Sequence, residues 1–143
     1  MAAKSTAFGN SELALIFNAT PIANIADNAS ASPLTSLYLS LHTADPGIGG
    51  SQTTSEAAYT SYARAAVTRN SGGFTVSGET VTLTANINFP AATGGSETET
   101  YWAVGTSSSG TGEVLYKGPI SPTIVVSTGV TPQLTTGTTI TES

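Results

Sequence analysis

Hydrophobic and polar residues alternate along much of this chain, and the clearest short example is the segment Leu37–His42. Its three leucines fall on one face of an extended strand, because successive side chains in a strand point to opposite sides. The strand then runs into Asp45, Pro46 and Gly47, which are residue types that favour a tight turn. The pattern predicts a strand with one buried face that stops at this turn.

Alternating stretches of the same kind recur from Tyr59 to the end of the chain, separated by turns rich in Gly, Pro and Asn. The longest is Val81–Phe89, which is closed by Pro90. Short strands at regular spacing, with no helical crossover between them, are typical of a β-sandwich or jelly roll and exclude a parallel α/β sheet. The predicted core consists of Leu39, Leu41, Val81, Leu83, Ile87, Phe89 and Trp102.

One helical pattern precedes the strands, with apolar residues recurring at helical spacing over Leu13–Phe17. Asn10 or Ser11 is the predicted N-cap, and Pro21 is predicted to end the helix. We therefore expect an all-β fold with a short N-terminal helix over residues 10–19. This helix packs either on the core of its own chain or, as an arm, on a neighbouring subunit.

The length of 143 residues fits one domain, with an N-terminal arm and helix at residues 1–34 and a β-sandwich body at residues 35–143. Only 9% of the residues are charged, compared with about 25% in typical soluble domains. Such a surface fits a protein that packs against neighbours in an assembly or works outside the cell, and it also fits an ordinary neutral β-sandwich. The chain contains no Cys, which excludes disulfides and zinc–thiolate sites.

The charge distribution bears on the possible partners. The net charge is −5, and the four basic residues Lys4, Arg64, Arg69 and Lys117 are scattered along the chain. Phosphate binding needs clustered basic residues, so we expect no nucleic acid partner. No apolar run approaches the ~20 residues that are needed to span a bilayer, so we expect no membrane partner.

Few residues suggest catalysis or metal binding. His42 is the only His, and we expect it to pin the turn by pairing with Asp45 or with a backbone carbonyl rather than to act in catalysis. Glu97 and Glu99 share a strand face, but two carboxylates do not complete a calcium shell, and a solvated strand edge is the expected role. Trp102 is expected in the core rather than on a sugar-binding surface. The chain is therefore predicted not to be an enzyme and to have no catalytic, cofactor-binding or metal-binding residues.

The long polar loop Ile48–Ala58 follows the turn. Its side chains, like those of the segment before Asn10, are predicted to be unable to hold it in place, so a partner would have to order it. Arg64 is predicted to form an ion pair with Glu56 or Asp45 that fastens this loop to the sheet.

Several motifs spread over nearly the whole chain carry a family resemblance. They are Leu15–Thr20, Ile22–Ala29, Leu37–Gly47, Ser55-Glu56 with Tyr59, Tyr62–Arg64, Phe89–Ala91 and Gly129–Pro132. On these motifs the sequence resembles a group of small virion proteins of tailed bacteriophages. The run Leu-His-Thr-Ala-Asp-Pro-Gly, together with Tyr-Ala-Arg, is the most specific part.

This resemblance implies a structural protein of the virion, made in the cytoplasm of the bacterial host. Members of the group are often labelled tail fibre proteins, and some resemble cement proteins that decorate the capsid. Because the chain has neither coiled-coil heptads nor collagen-like repeats, we expect a capsid cement protein. Its partners would be the major capsid protein and other copies of itself, as a dimer or trimer. The alternative is a tail or head fibre component, or an adhesin, that contacts a host receptor or glycan.

Overall fold

The structure is a computed structural model that describes residues 5–22 and 33–142. The chain divides into two compact units, each built from segments that are distant in sequence. The first unit contains Met1–Ser36, Val67–Asn86 and Thr135–Ser143, and the second contains Leu37–Ala66 and Ile87–Leu134. Parts of the predicted N-terminal arm, residues 1–4 and 23–32, lie outside the described residues.

The described residues form one helix, α1 (Thr6–Asn18), and nine strands. In chain order the strands are β1 (Ser36–His42), β2 (Ala65–Thr68), β3 (Phe74–Ser77), β4 (Thr80–Leu83), β5 (Ile87–Asn88), β6 (Glu97–Gly105), β7 (Val114–Val126), β8 (Gln133–Leu134) and β9 (Thr139–Thr141). The predicted all-β fold with a short N-terminal helix is confirmed. Within the described residues, no helix is long and apolar enough to cross a membrane.

Helix α1 begins earlier than the sequence pattern predicted. Ser5 is the N-cap, and its hydroxyl accepts a hydrogen bond from the Phe8 N–H at 3.2 Å. The prediction of Asn10 or Ser11 as the cap was wrong, because Ser5 already supplies the side-chain acceptor that a helix start requires. Residues just before Asn10 therefore belong to the helix and are not an unsupported arm.

The first unit packs α1 on β3 and β4 of a three-stranded sheet with the order β3-β4-β9. The rings of Phe17 and Phe74 meet edge to face, with centroids 4.9 Å apart. Val81 and Leu83 on β4 are buried in this unit. A helix stripe and one sheet face thus form a small core of their own.

Arg69 connects the segment after β2 to the end of α1. Its guanidinium donates to the carbonyl oxygens of Ile16 at 2.5 Å, Leu15 at 2.6 Å and Leu34 at 3.2 Å. The last carbonyls of a helix lack intrahelical partners and carry a partial negative charge, so a cation at this position stabilises the helix end. The sequence analysis found no role for Arg69, because this contact joins residues far apart in the chain.

A four-stranded sheet has the order β2-β1-β6-β7, and its strands β6 and β7 and nearly all of β1 belong to the second unit, as does the short pair β5–β8. β6 is antiparallel to both β1 and β7, with Leu41 opposite Trp102 and Trp102 opposite Gly118. The predicted core residues of this unit, Leu39, Leu41, Phe89 and Trp102, are buried, whereas Ile87 is only half-buried.

The alternating segment Val81–Phe89 is not one strand. It is split into β4 and β5, and residues 84–86 between them are exposed. The Thr84 hydroxyl donates to the Ser71 carbonyl at 3.1 Å, and the Asn86 amide oxygen accepts from the Thr136 N–H at 3.0 Å. Thr and Asn side chains that bond to backbone in this way compete with a strand ladder, which explains the interruption.

The C-terminal strands include a long one that contains two prolines. β7 runs through both Pro119 and Pro122. Among the described strands β7 pairs with β6 alone, and an edge strand tolerates proline because one side of it needs no ladder donor. The last part of the chain forms the two short strands β8 and β9.

Candidate functional site

The connection between β1 and β2 is held in place by its own polar side chains, and we call residues 43–60 the clamped loop. Gln52 at its centre is fully buried. The Gln52 N–H donates to the Gly112 carbonyl at 3.1 Å. Its side-chain amide donates to the Tyr38 carbonyl at 3.4 Å and accepts from the Ser107 N–H at 2.9 Å. The prediction that the side chains of this loop cannot hold it in place was therefore wrong for Gln52.

His42 forms the second anchor. Its Nδ1 lies 2.9 Å from the Thr54 carbonyl, and its Nε2 lies 2.9 Å from the Ser40 hydroxyl. Since a carbonyl only accepts, Nδ1 carries the proton and Nε2 accepts from Ser40. Burial lowers the pKa of His42, so the ring is neutral at pH 7. Of the two roles predicted for His42, the structure contains the bond to a backbone carbonyl; Asp45 pairs elsewhere.

The Ser40–His42 bond has the length of a nucleophile–base bond, but both side chains are fully buried. The nitrogen that a catalytic acid would orient instead bonds to the Thr54 carbonyl. This pair fixes the backbone of the loop against β1.

Arg64 and Glu56 form the third anchor. Nε of Arg64 donates to Glu56 Oε1 at 2.6 Å, and Nη2 donates to Oε2 at 2.8 Å. The same guanidinium donates to the carbonyls of Ser107 at 2.8 Å and Gly110 at 2.7 Å. Of the two ion-pair partners predicted for Arg64, the structure has Glu56, and the contact also ties the loop to the turn between β6 and β7.

Tyr62 completes this anchor by bonding to the same Glu56 carboxylate. Its hydroxyl donates to Glu56 Oε1 at 3.0 Å and accepts from the Leu41 N–H at 3.1 Å. Burial is the main cause that raises the pKa of Tyr62, so the phenol keeps its proton. Tyr62 and Arg64 lie just before β2, and the sequence offered no signal for the bond from the Tyr62 hydroxyl to Glu56.

Glu97 holds the end of the clamped loop. Its Oε1 accepts from the N–H groups of Ala58 at 2.8 Å and Tyr59 at 2.9 Å. Glu99 is fully buried, so the prediction of a solvated strand edge was wrong. The pairing of β1 with β6 ends at Tyr101, and before that residue β7 pairs with one side of β6 while the clamped loop bonds to Glu97.

The Glu99 carboxyl has an unusual environment. Neither of its oxygens meets a hydrogen-bond donor in the described part of the chain when both glutamates are ionised. Its carboxyl lies within hydrogen-bonding reach of Glu97. Burial first, and then the bond to Glu97 and its charge, raise the pKa of Glu99 to about 8. At pH 7 Glu99 is therefore mostly protonated and able to donate to Glu97.

The tip of the clamped loop exposes one apolar side chain. Asp45 accepts from the Gly47 N–H at 2.8 Å and pairs with Lys117 at 2.7 Å. Gly47 has φ +75°, and at Gly50 a Cβ would overlap the backbone carbonyl of Pro46, so both positions favour glycine. Ile48 stands between them with its whole side chain in solvent, at 105% relative exposure.

The predicted turn residues are thus brought together in one structure. Asp45, Pro46 and Gly47 form the tip of the loop. Glu56 and Arg64, which follow later in the chain, form the ion pair that anchors it. Within residues 5–22 and 33–142, no group of three or more His, Asp or Glu residues could hold a metal ion. What the arrangement does chemically is to fix backbone, because its polar groups bond to one another and to the chain.

A family model described as podophage GP4 fiber I protein gp80 matches residues 17–141. The match includes the clamped loop, all of its anchors and every strand of the structure. No curated protein matches the chain.

Proposed function

This chain belongs to the podophage GP4 fiber I protein gp80 family, and we propose that it attaches to a neighbouring virion protein through the tip of the clamped loop. Membership of this family makes it a structural protein of a tailed-phage virion. Within the virion, we propose that it is a cement protein that binds the assembled lattice of the major capsid protein.

The observation that carries this proposal is the fully exposed Ile48 on a fastened turn. Burying an Ile side chain on binding contributes about 1.5–3 kcal/mol. Binding usually loses part of such a gain to ordering a loop, but here Asp45, Lys117 and Gly50 already fix the turn. A preformed apolar tip of this kind suits an apolar pocket on a partner.

One such contact is too weak to hold a protein on a particle by itself, so the proposal includes several copies acting together. A dimer or trimer that engages several capsid subunits raises the effective concentration of each further contact. A protein that binds only the assembled lattice also stabilises that state by mass action. Particles that carry the protein would then survive to higher temperature than particles that lack it.

A second candidate, a fibre component of the tail or head, is favoured by the description of the family as a fiber protein. Quantitative mass spectrometry of purified virions separates the two. A copy number comparable to that of the major capsid protein supports cement, whereas a few copies per particle support a fibre. Immunogold labelling of intact particles then gives the location independently.

The attachment surface is tested with the Ile48→Ser variant. We expect its stability to stay within about 0.5 kcal/mol of the parent protein, because the side chain makes no packing contact to lose. Its binding to particles that lack the protein should weaken at least tenfold, since about 1.4 kcal/mol corresponds to a factor of ten. The measurement is occupancy against added protein concentration.

Val125→Ser is the matched control, because Val125 is another exposed apolar residue, at 66% relative exposure, and lies on β7. The control should bind like the parent protein. Equal binding of the Ile48 variant and the parent would remove the tip from the attachment surface. Failure of the parent protein to bind capsids at all, with binding to tails instead, would move the protein to the fibre role.

A further inference from the structure

Glu97 and Glu99 are two residues apart on β6, so their side chains leave the strand on the same face. Glu97 holds the amides of Ala58 and Tyr59, at 2.8 and 2.9 Å, and so fastens the end of the clamped loop. Glu99 is fully excluded from water, and no described donor reaches its oxygens. A group in this position is either protonated or a buried, uncompensated charge.

We propose that a proton held between Glu97 and Glu99 is a pH-sensitive latch that keeps the clamped loop fastened at Ala58 and Tyr59. With the proton present, the Glu99 O–H donates to Glu97, which keeps both amide bonds. When the proton leaves, two carboxylates face each other with Glu99 shielded from solvent, where like charges repel strongly. Moving Glu99 toward solvent relieves the repulsion, and this requires the neighbouring loop backbone to separate from β6.

The groups that face this pair do not change charge in the pH range where Glu99 loses its proton. From the loop, Tyr59 faces the two glutamates, and burial, followed by their charges, raises its pKa to about 12. Tyr59 therefore stays neutral while Glu99 titrates. From β7, the strand register places Val126 opposite Glu97 and Ile124 opposite Glu99, and neither residue is ionisable.

From β1, the nearest titratable group is His42 at the end of the strand, opposite Tyr101. Its two ring nitrogens are bonded to Ser40 and Thr54, and its lowered pKa means that it is already neutral where Glu99 titrates. It therefore supplies no positive charge to offset a second carboxylate.

The direction of the pH dependence follows from the pKa of Glu99. In the folded protein this pKa is raised to about 8, whereas an unfolded chain has a Glu pKa of about 4.3. Folding thus favours the protonated form, and the contribution of Glu99 to the stability of the protein falls as the pH rises from about 4.3 to about 8. The latch is closed below pH 8 and opens as the pH passes through that value. The latch concerns the fold of the loop, so the proposal is the same whether the protein is a capsid cement protein or a fibre component.

The test follows the side-chain carboxyl ¹³C signals of Glu97 and Glu99 and the amide signals of Ala58 and Tyr59 by NMR between pH 4 and pH 10. We expect Glu99 to titrate near pH 8 and both amides to shift with the same midpoint. In Glu99→Gln, which cannot ionise, the amide transition should disappear. Glu113→Gln, at an exposed glutamate, should leave it unchanged.

Titration of Glu99 below pH 5 in the parent protein would overturn the proposal, and this measurement needs no variant to fold. So would an amide transition near pH 8 that persists in Glu99→Gln. Amides that do not move while Glu99 titrates would show a buried acid that does not act on the loop, and would also reject the latch.

Discussion

Removing the Arg64 side chain is the sharpest test of how the clamped loop is held. Arg64→Ala deletes two bonds to Glu56 and the bonds to the carbonyls of Ser107 and Gly110. Glu56 then keeps the Tyr62 hydroxyl as its remaining side-chain donor. The variant therefore leaves a largely buried carboxylate without its cation and two carbonyls without a donor.

The size of the loss depends on burial. The side chains of Arg64 and Glu56 are 2% and 16% exposed, so the pair belongs with buried rather than surface ion pairs. Breaking a buried pair by removing one partner costs about 3–5 kcal/mol, whereas an exposed pair is worth about 0–1 kcal/mol. We expect Arg64→Ala to lower the free energy of unfolding by about 3 kcal/mol, at the low end because Glu56 keeps some contact with water.

The assay is denaturant unfolding followed by the fluorescence of Trp102. This is the only Trp in the chain, and it is buried in the same compact unit as Arg64. Cleavage by a nonspecific protease within residues 48–58 should also become faster in Arg64→Ala. The double variant Arg64→Met with Glu56→Leu removes both charges and should lose less stability than Arg64→Ala alone.

A loss below about 1 kcal/mol for Arg64→Ala would refute this reasoning, because it would place the pair in the range of exposed ion pairs. The single variants Arg64→Met and Glu56→Leu complete the comparison. A double variant whose loss of stability equals the sum of these two losses would also refute the reasoning, because the effects of independent sites add and those of coupled partners do not.

Two further predictions concern other parts of the structure. Leu83→Ala should cost about 2–5 kcal/mol in thermal or denaturant unfolding, because Leu83 is buried in the first unit and its truncation leaves a cavity; a change near zero would mean that the site is not packed. His42 has a lowered pKa in the folded state, so an unfolded chain takes up its proton first, at about pH 6.5, and the contribution of His42 to stability should fall as the pH drops below that value, opposite in sign to the contribution of Glu99. His42→Asn should lose this component of the pH dependence, and an unchanged slope between pH 6.5 and pH 4.5 would contradict the assignment.

The strand pattern of the sequence predicted some of the site correctly. The leucines of Leu37–His42 marked the buried face of β1, and Arg64, expected to pair with Glu56 or Asp45, pairs with Glu56. Both inferences rest on period-two alternation and on the strong preference of a buried guanidinium for a carboxylate.

The same alternation misjudged the polar face. It placed Glu97 and Glu99 together but gave no sign that this face is covered. In β1, Ser40 and His42 are also fully buried opposite the leucines, because the clamped loop supplies hydrogen-bonding partners there. A polar residue on a strand face is predicted to be solvent-exposed unless its hydrogen-bonding partner is known. The partners here are backbone groups of a loop, and backbone groups cannot be identified from the residue types in a sequence.

The chain has few charged residues, and the basic side chains that the structure describes all bond to other groups of the protein. Each basic residue within the described ranges is engaged inside its own compact unit: Arg64 with Glu56, Lys117 with Asp45, and Arg69 with the carbonyls at the end of α1. A partner that approaches the described surface therefore meets no cation free to steer it. Hydroxyl and backbone groups, exposed carboxylates such as that of Glu113 and exposed apolar side chains such as Ile48 remain on that surface. In the proposed cement role, uncharged contacts of this kind would lose less to charge desolvation than ion pairs do, which would suit many repeated, individually weak attachments on one particle.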